Sequence, residues 1–119
     1  MLSKTVTIGG REVAFKSSAA IPRLYRIKFG RDIFKDLTRL EKSYNEKTGN
    51  SGRNFEIEDL EIFENVAYIM ALHADPAGTP RTIEEWLDQF EMFSIYEILP
   101  DILELWGSNL FTDVKARKN

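Results

Sequence analysis

Ile21-Pro22-Arg23-Leu24-Tyr25-Arg26-Ile27-Lys28-Phe29-Gly30-Arg31-Asp32-Ile33-Phe34 reads as a short helix, a glycine stop and the opening of a second helix. Pro22 suits a first helical turn, where an N–H would have no partner in any case. Ile21, Leu24, Tyr25 and Phe29 recur at helical spacing as far as Gly30, a residue that readily takes the left-handed conformation at a helix end. A new helix is predicted from Asp32, with Ile33, Phe34, Leu37, Leu40 and Tyr44 as its apolar stripe. Residues 20–46 therefore form a helix-glycine-helix corner, with Leu24, Tyr25, Phe29, Ile33 and Phe34 facing the core. Arg26 and Asp32 are placed to pair across it as a structural clamp.

Ahead of the corner, Thr5-Val6-Thr7-Ile8, Gly9-Gly10 and Arg11-Glu12-Val13-Ala14-Phe15 predict a β-hairpin over 1–16, because Gly-Gly can supply the two positive φ angles of a two-residue turn. Pairing Ile8 with Arg11 sets Val6 opposite Val13 and Lys4 opposite Phe15. Val6, Ile8, Val13 and Phe15 then share one face, and Thr5, Thr7 and Glu12 the other. A lone hairpin is marginal in water, so the apolar face must pack on a helix or continue into a larger sheet with another copy.

Behind the corner, periodicity fails between Asn45 and Asn54, where Gly49, Asn50, Ser51 and Gly52 predict a mobile loop over 47–55. Glu56, Glu58, Asp59 and Glu61 suit the start of the following helix, where the backbone dipole favours negative charge. Its apolar stripe, Leu60, Phe63, Val66, Ala67, Ile69, Met70 and Ala74, widens after Val66 as expected of a central buried helix. Asp75 to Pro80 ends it. Thr82-Ile83-Glu84-Glu85 and Ser94-Ile95-Tyr96-Glu97 both match a capping box, so each is expected to open a helix. Pro100 lies inside the second of these and implies a kink or restart. The sum is an α+β chain, mainly α, with the hairpin packed on about five helices. It is a single domain, 1–119, with a helical body over 56–112 and a basic tail over 113–119.

A chain of 119 residues is long enough to bury a real core. It has no apolar run near the roughly 20 residues of a membrane helix, and Met1-Leu2-Ser3-Lys4 lacks the apolar centre of a signal peptide, so a cytosolic protein is expected. Without cysteine there are no disulfides, thiolate metal sites or thiol chemistry. The net charge of −3 hides a split: residues 1–53 hold 12 Lys/Arg and 5 Asp/Glu (+7), and residues 54–119 hold 4 and 14 (−10). Such halves can attract within one fold or between copies, or both can simply be solvated.

The sole histidine, His73, has Asp75 nearby but neither a ligand set nor a nucleophile to serve, which points to a structural role. No nucleophile elbow or phosphate-binding loop is present. Glu84, Glu85, Asp88 and Glu91 lack the oxygen alternation and turn glycine of a calcium loop and read as a solvated helix face. No metal, cofactor or catalytic group is therefore assigned. Arg31, Lys35, Arg39 and Lys42 make one basic row, the only feature that would suit a small helical nucleic-acid-binding regulator; Asp32, Asp36, Glu41 and Glu46 interrupt it. The aromatic load is more informative, with 14 Phe, Tyr and Trp in all. The wide apolar arc of the last third either fills the core or leaves a surplus for a partner helix. In the second case the partner-binding residues would be Trp86, Phe90, Phe93, Ile102, Trp106 and Leu110.

The N-terminal hairpin, Tyr25-Arg26-Ile27-Lys28-Phe29-Gly30-Arg31-Asp32-Ile33, the apolar helix with Ala67-Tyr68 and Ala71, and Ile83-Glu84-Glu85-Trp86-Leu87 together resemble the tail assembly chaperones of long-tailed bacteriophages and prophages of Gram-positive bacteria. The likeness spans nearly the whole chain, although its motifs are short and structural. It implies a non-enzymatic protein in the host cytoplasm, absent from the finished virion, which coats the helical tape measure protein and recruits tail tube subunits. It also implies a longer form of the chain made by ribosomal frameshifting, and a homo-oligomer would suit the split charge. No membrane partner is expected, and nucleic acid is the weaker reading.

Overall fold

The computed structural model of the chain describes residues 2–48, 56–91 and 94–106. Strands β1 (Leu2–Ile8) and β2 (Arg11–Ser17) form an antiparallel hairpin. Helices α1 (Ile21–Phe29), α2 (Ile33–Thr48), α3 (Ile57–Ala74) and α4 (Ile83–Leu87) follow. A 3₁₀ turn, Ser94–Ile98, then runs into a fifth helix, α5, over 99–106. The fold is α+β and mainly helical, with α3 at its centre against β2, α1, α2 and α4.

The hairpin has the expected register, Ile8 opposite Arg11, Val6 opposite Val13 and Lys4 opposite Phe15. Gly9 and Gly10 take φ of 56° and 85°, the pair of positive angles that matches the twist of the flanking strands. Ile8 and Phe15 are buried, and Val6 and Val13 pack at the edge of the same core.

α1 carries Pro22 in its first turn and ends at Gly30, whose φ is 68° and whose N–H donates to the Arg26 carbonyl. The Asp32 carboxylate accepts from the Phe34 N–H at 2.9 Å and so caps α2. Ile33, Leu37 and Leu40 are buried as the stripe requires. Phe34 is not: it is 51% exposed and lies against the Trp106 ring at the margin of the core. The clamp also differs from expectation. Arg31, not Arg26, makes the ion pair at the corner, and its partner is Asp36 rather than Asp32. Asp32 is committed to its cap, whereas Asp36 lies one turn into α2 on the side facing α1.

α2 continues through Thr48, past the expected start of the loop at 47, and the remainder of that stretch, 49–55, lies outside the described residues, as does the 113–119 tail. α3 is buried on every side from Val66 to Ala71, as befits a helix apolar all round. Thr82 caps α4 by accepting from the Glu85 N–H at 3.2 Å. The second capping sequence, Ser94 to Glu97, opens a 3₁₀ turn instead of an α-helix. Pro100 then falls in the first turn of α5, where it costs no hydrogen bond, so the irregularity expected at Pro100 is a restart. One contiguous apolar core joins the hairpin to all five helices.

Candidate partner-binding site

Of the six candidate partner-binding residues, Trp86, Ile102 and Trp106 are core side chains with 2%, 1% and 5% of their surface open. Trp86 packs edge-on to Phe15 and against Tyr68. Phe90 is half-buried and leans on Trp86 at a ring separation of 5.2 Å. Phe93 and Leu110 lie outside the described residues. Among the described residues, Trp86 closes the core over Phe15 of the hairpin, and Trp106 packs against Phe34 of α2.

Open apolar surface occurs elsewhere. Leu24, Ile27 and Lys28 of α1 stand at i, i+3 and i+4, and so do Ile69, Leu72 and His73 of α3. With Pro76, these six line a groove of about 500 Å³ between the two helices. Ile69 forms its buried floor, Leu24 and Leu72 are half-buried walls, and Ile27 is 71% exposed at its lip. Ile27 falls outside the core stripe of Ile21, Leu24, Tyr25 and Phe29. That misplaced isoleucine is the sequence signal from which the groove could have been found.

Among the described residues no carboxylate lines this groove; its charged or titratable members are Lys28 and His73. Lys28 Nζ donates to the Arg81 carbonyl at 3.0 Å and lies 5.4 Å from the centre of the Tyr68 ring. The lysine thus ties the end of α1 to the 80–82 segment, whose Pro80 carbonyl accepts from the Tyr68 hydroxyl at 2.6 Å. His73 Nε2 and Ser18 Oγ share a hydrogen bond of 3.0 Å that fixes the C-terminal turn of α3 to the strand-helix connector. Burial, together with the nearby Lys16 ammonium, lowers the His73 pKa, which favours the neutral ring at neutral pH.

The basic row is partly consumed inside the fold. Arg31 pairs with Asp36, and Arg39 pairs with Glu56, Glu58 and Asp59 at the start of α3. Two of its four cations are therefore already neutralised by carboxylates, which weakens the row as a phosphate track. Among the described residues no group of three or more His, Asp or Glu is placed to hold a metal ion, and no helix is long and apolar enough to cross a membrane. No family model, curated protein or solved structure matches the chain.

Proposed function

We propose that the chain is a non-enzymatic tail assembly chaperone of a long-tailed phage or prophage, and that the α1–α3 groove takes an apolar helical face of the tape measure protein. The observation that carries this reading is the open groove itself, with a buried apolar floor and an exposed Ile27 at its lip. A groove between two helices, lined at i, i+3 and i+4, suits the anchors of an amphipathic helix. The cationic margin at Lys28 complements carboxylates flanking such an apolar stripe. The Tyr25–Ile33 segment that resembles the chaperone family serves both ends: Tyr25 and Ile33 build the core, while Ile27 and Lys28 line the groove. In this reading the protein acts in the host cytoplasm, recruits tail tube subunits around the coated tape measure chain, has a frameshifted longer form and leaves before the virion is complete.

Co-expression with the long helical tape measure chain encoded nearby tests it. The wild type should keep that chain in solution and co-purify with it. Ile27→Glu should abolish co-purification while changing stability by no more than about 0.5 kcal/mol, because the side chain is already largely in water. Absence of binding by the wild type, or binding that Ile27→Glu and Leu72→Glu leave intact, overturns the assignment.

A further inference from the structure

Among the described residues the hairpin is a sheet of only two strands, so each strand has one edge that the other does not use. In a hairpin closed by a two-residue turn, the pair flanking the turn exchanges both backbone hydrogen bonds, and bonded pairs then alternate with non-bonded ones. With Ile8 opposite Arg11, the bonded pairs are Ile8–Arg11, Val6–Val13, Lys4–Phe15 and Leu2–Ser17. The N–H and C=O groups of Glu12, Ala14 and Lys16 consequently point away from β1. Among the described residues none of them bonds another element. Glu12 and Ala14 are exposed, Lys16 is half-buried, and all three side chains lie on the face turned from the core. Asp75, Gly78, Thr79 and Gln89 face Glu12 and Ala14 across a hollow of about 370 Å³. β2 is seven residues long and has neither the proline nor the bulge that commonly blunts an edge strand.

We propose that two copies of this chain associate edge to edge, β2 against β2, antiparallel about a two-fold axis at Ala14. The residues select this register. It sets Glu12 opposite the partner's Lys16, Ala14 opposite the partner's Ala14, and Lys16 opposite the partner's Glu12, so all three outward-pointing residues enter bonded pairs and both charges meet their opposites. A slip of two residues in either direction leaves two bonded pairs and separates the charges. A slip of four sets like charges face to face. Ala14 at the axis offers no bulk to hold the strands apart. Lys16 alone would discourage an arbitrary strand from adding here, but with Glu12 two pairs away it admits a second copy of the same edge. Such a contact is self-complementary and closes at two. The product is a four-stranded sheet in the order β1-β2-β2-β1, more stable than the two hairpins apart. This inference does not depend on the α1–α3 groove or on the partner proposed for it.

Sedimentation velocity over a concentration series, with the full chain and matched variants, provides the test. The wild type should reach twice the monomer mass. Ala14→Pro removes an N–H that the hairpin's own ladder does not use and should return the protein to monomer. Glu12→Lys and Lys16→Glu should each weaken the dimer by about tenfold or more, since each makes both cross-strand pairs like-charged. Mixing these two charge variants should restore a heterodimer, because each then presents the charge that the other lacks. Both lie on the solvent face, so the mixing arm decides the matter even if Ala14→Pro unfolds the hairpin, which circular dichroism will reveal. A wild type that stays monomeric overturns the proposal. So does an assembly that the variants leave unchanged, or a mixture that fails to recover the dimer lost by its components.

Discussion

Asp36 is only 5% exposed, yet it accepts from the Tyr25 hydroxyl at 2.7 Å and from Arg31 Nε and Nη2 at 2.7 and 2.9 Å. Burial pushes its carboxyl up, but the Arg31 guanidinium and the Tyr25 hydroxyl outweigh burial and hold it below the usual carboxylate range. Asp59 is depressed in the same way: burial raises it, and the Glu56 N–H and Arg39 outweigh that. A carboxyl whose folded pKa lies below its unfolded value near 4 stabilises the fold fully above that value and loses its contribution as pH falls through the folded pKa. Thermal unfolding followed from about pH 6 to about pH 2 should therefore show the melting temperature falling below about pH 4, with a shallower fall in Asp36→Asn. At neutral pH Asp36→Ala should cost about 2 kcal/mol or more in denaturant titration, because it strands the Tyr25 hydroxyl away from water. Ser17 is the opposite case. Its side chain is fully buried, and its hydroxyl finds no partner among the described residues. Ser17→Ala should remove a desolvated hydroxyl and raise stability by about 1 kcal/mol, roughly 3 to 5 °C in melting temperature. A lower melting temperature would show that the hydroxyl has a partner after all.

The elements divide into those that local chemistry determines and those that packing determines. The hairpin register was legible because a two-residue Gly-Gly turn allows one parity, and that parity places Val6, Ile8, Val13 and Phe15 together. Gly30 was legible for a similar reason: the chain must turn there with φ positive. Gly30→Ala should cost about 1 kcal/mol, purely as backbone strain, since a methyl group there would touch nothing within 4 Å. Differential scanning calorimetry of that variant should show a lower melting temperature. Phe34 and Trp86 were not legible. Helical spacing predicts which apolar residues share a face but not which face a neighbour will cover, so Phe34 fell in the core stripe although α5 covers only part of it, and Trp86 looked available although the hairpin and α3 close over it. The 3₁₀ turn at Ser94–Ile98 was hidden because its capping residues suit either kind of helix start. The candidate groove was the least legible feature, since it requires α1 and α3 to be side by side before Ile27 has any meaning.

At the scale of the whole molecule, the charge split is folded together. Apart from Arg31–Asp36, every ion pair among the described residues joins a cation between Lys4 and Arg39 to a carboxylate between Glu56 and Glu104. These pairs are mostly in contact with water and are screened by salt. The melting temperature should fall as sodium chloride rises from about 0.01 M to about 1 M; a constant or rising value would mean that the opposite signs do not hold the halves together. The contact of Lys4 with Asp101 and Glu104, at 2.9 and 2.6 Å, also has a consequence for biosynthesis. It spans 97 and 100 positions of chain, so a hairpin made early leaves the ribosome long before the carboxylates that brace it exist. Contacts of such range close slowly. During translation the apolar face of the hairpin can be sheltered by α3 once residue 74 has emerged, whereas the brace between Lys4 and α5 forms only after Asp101 has been made.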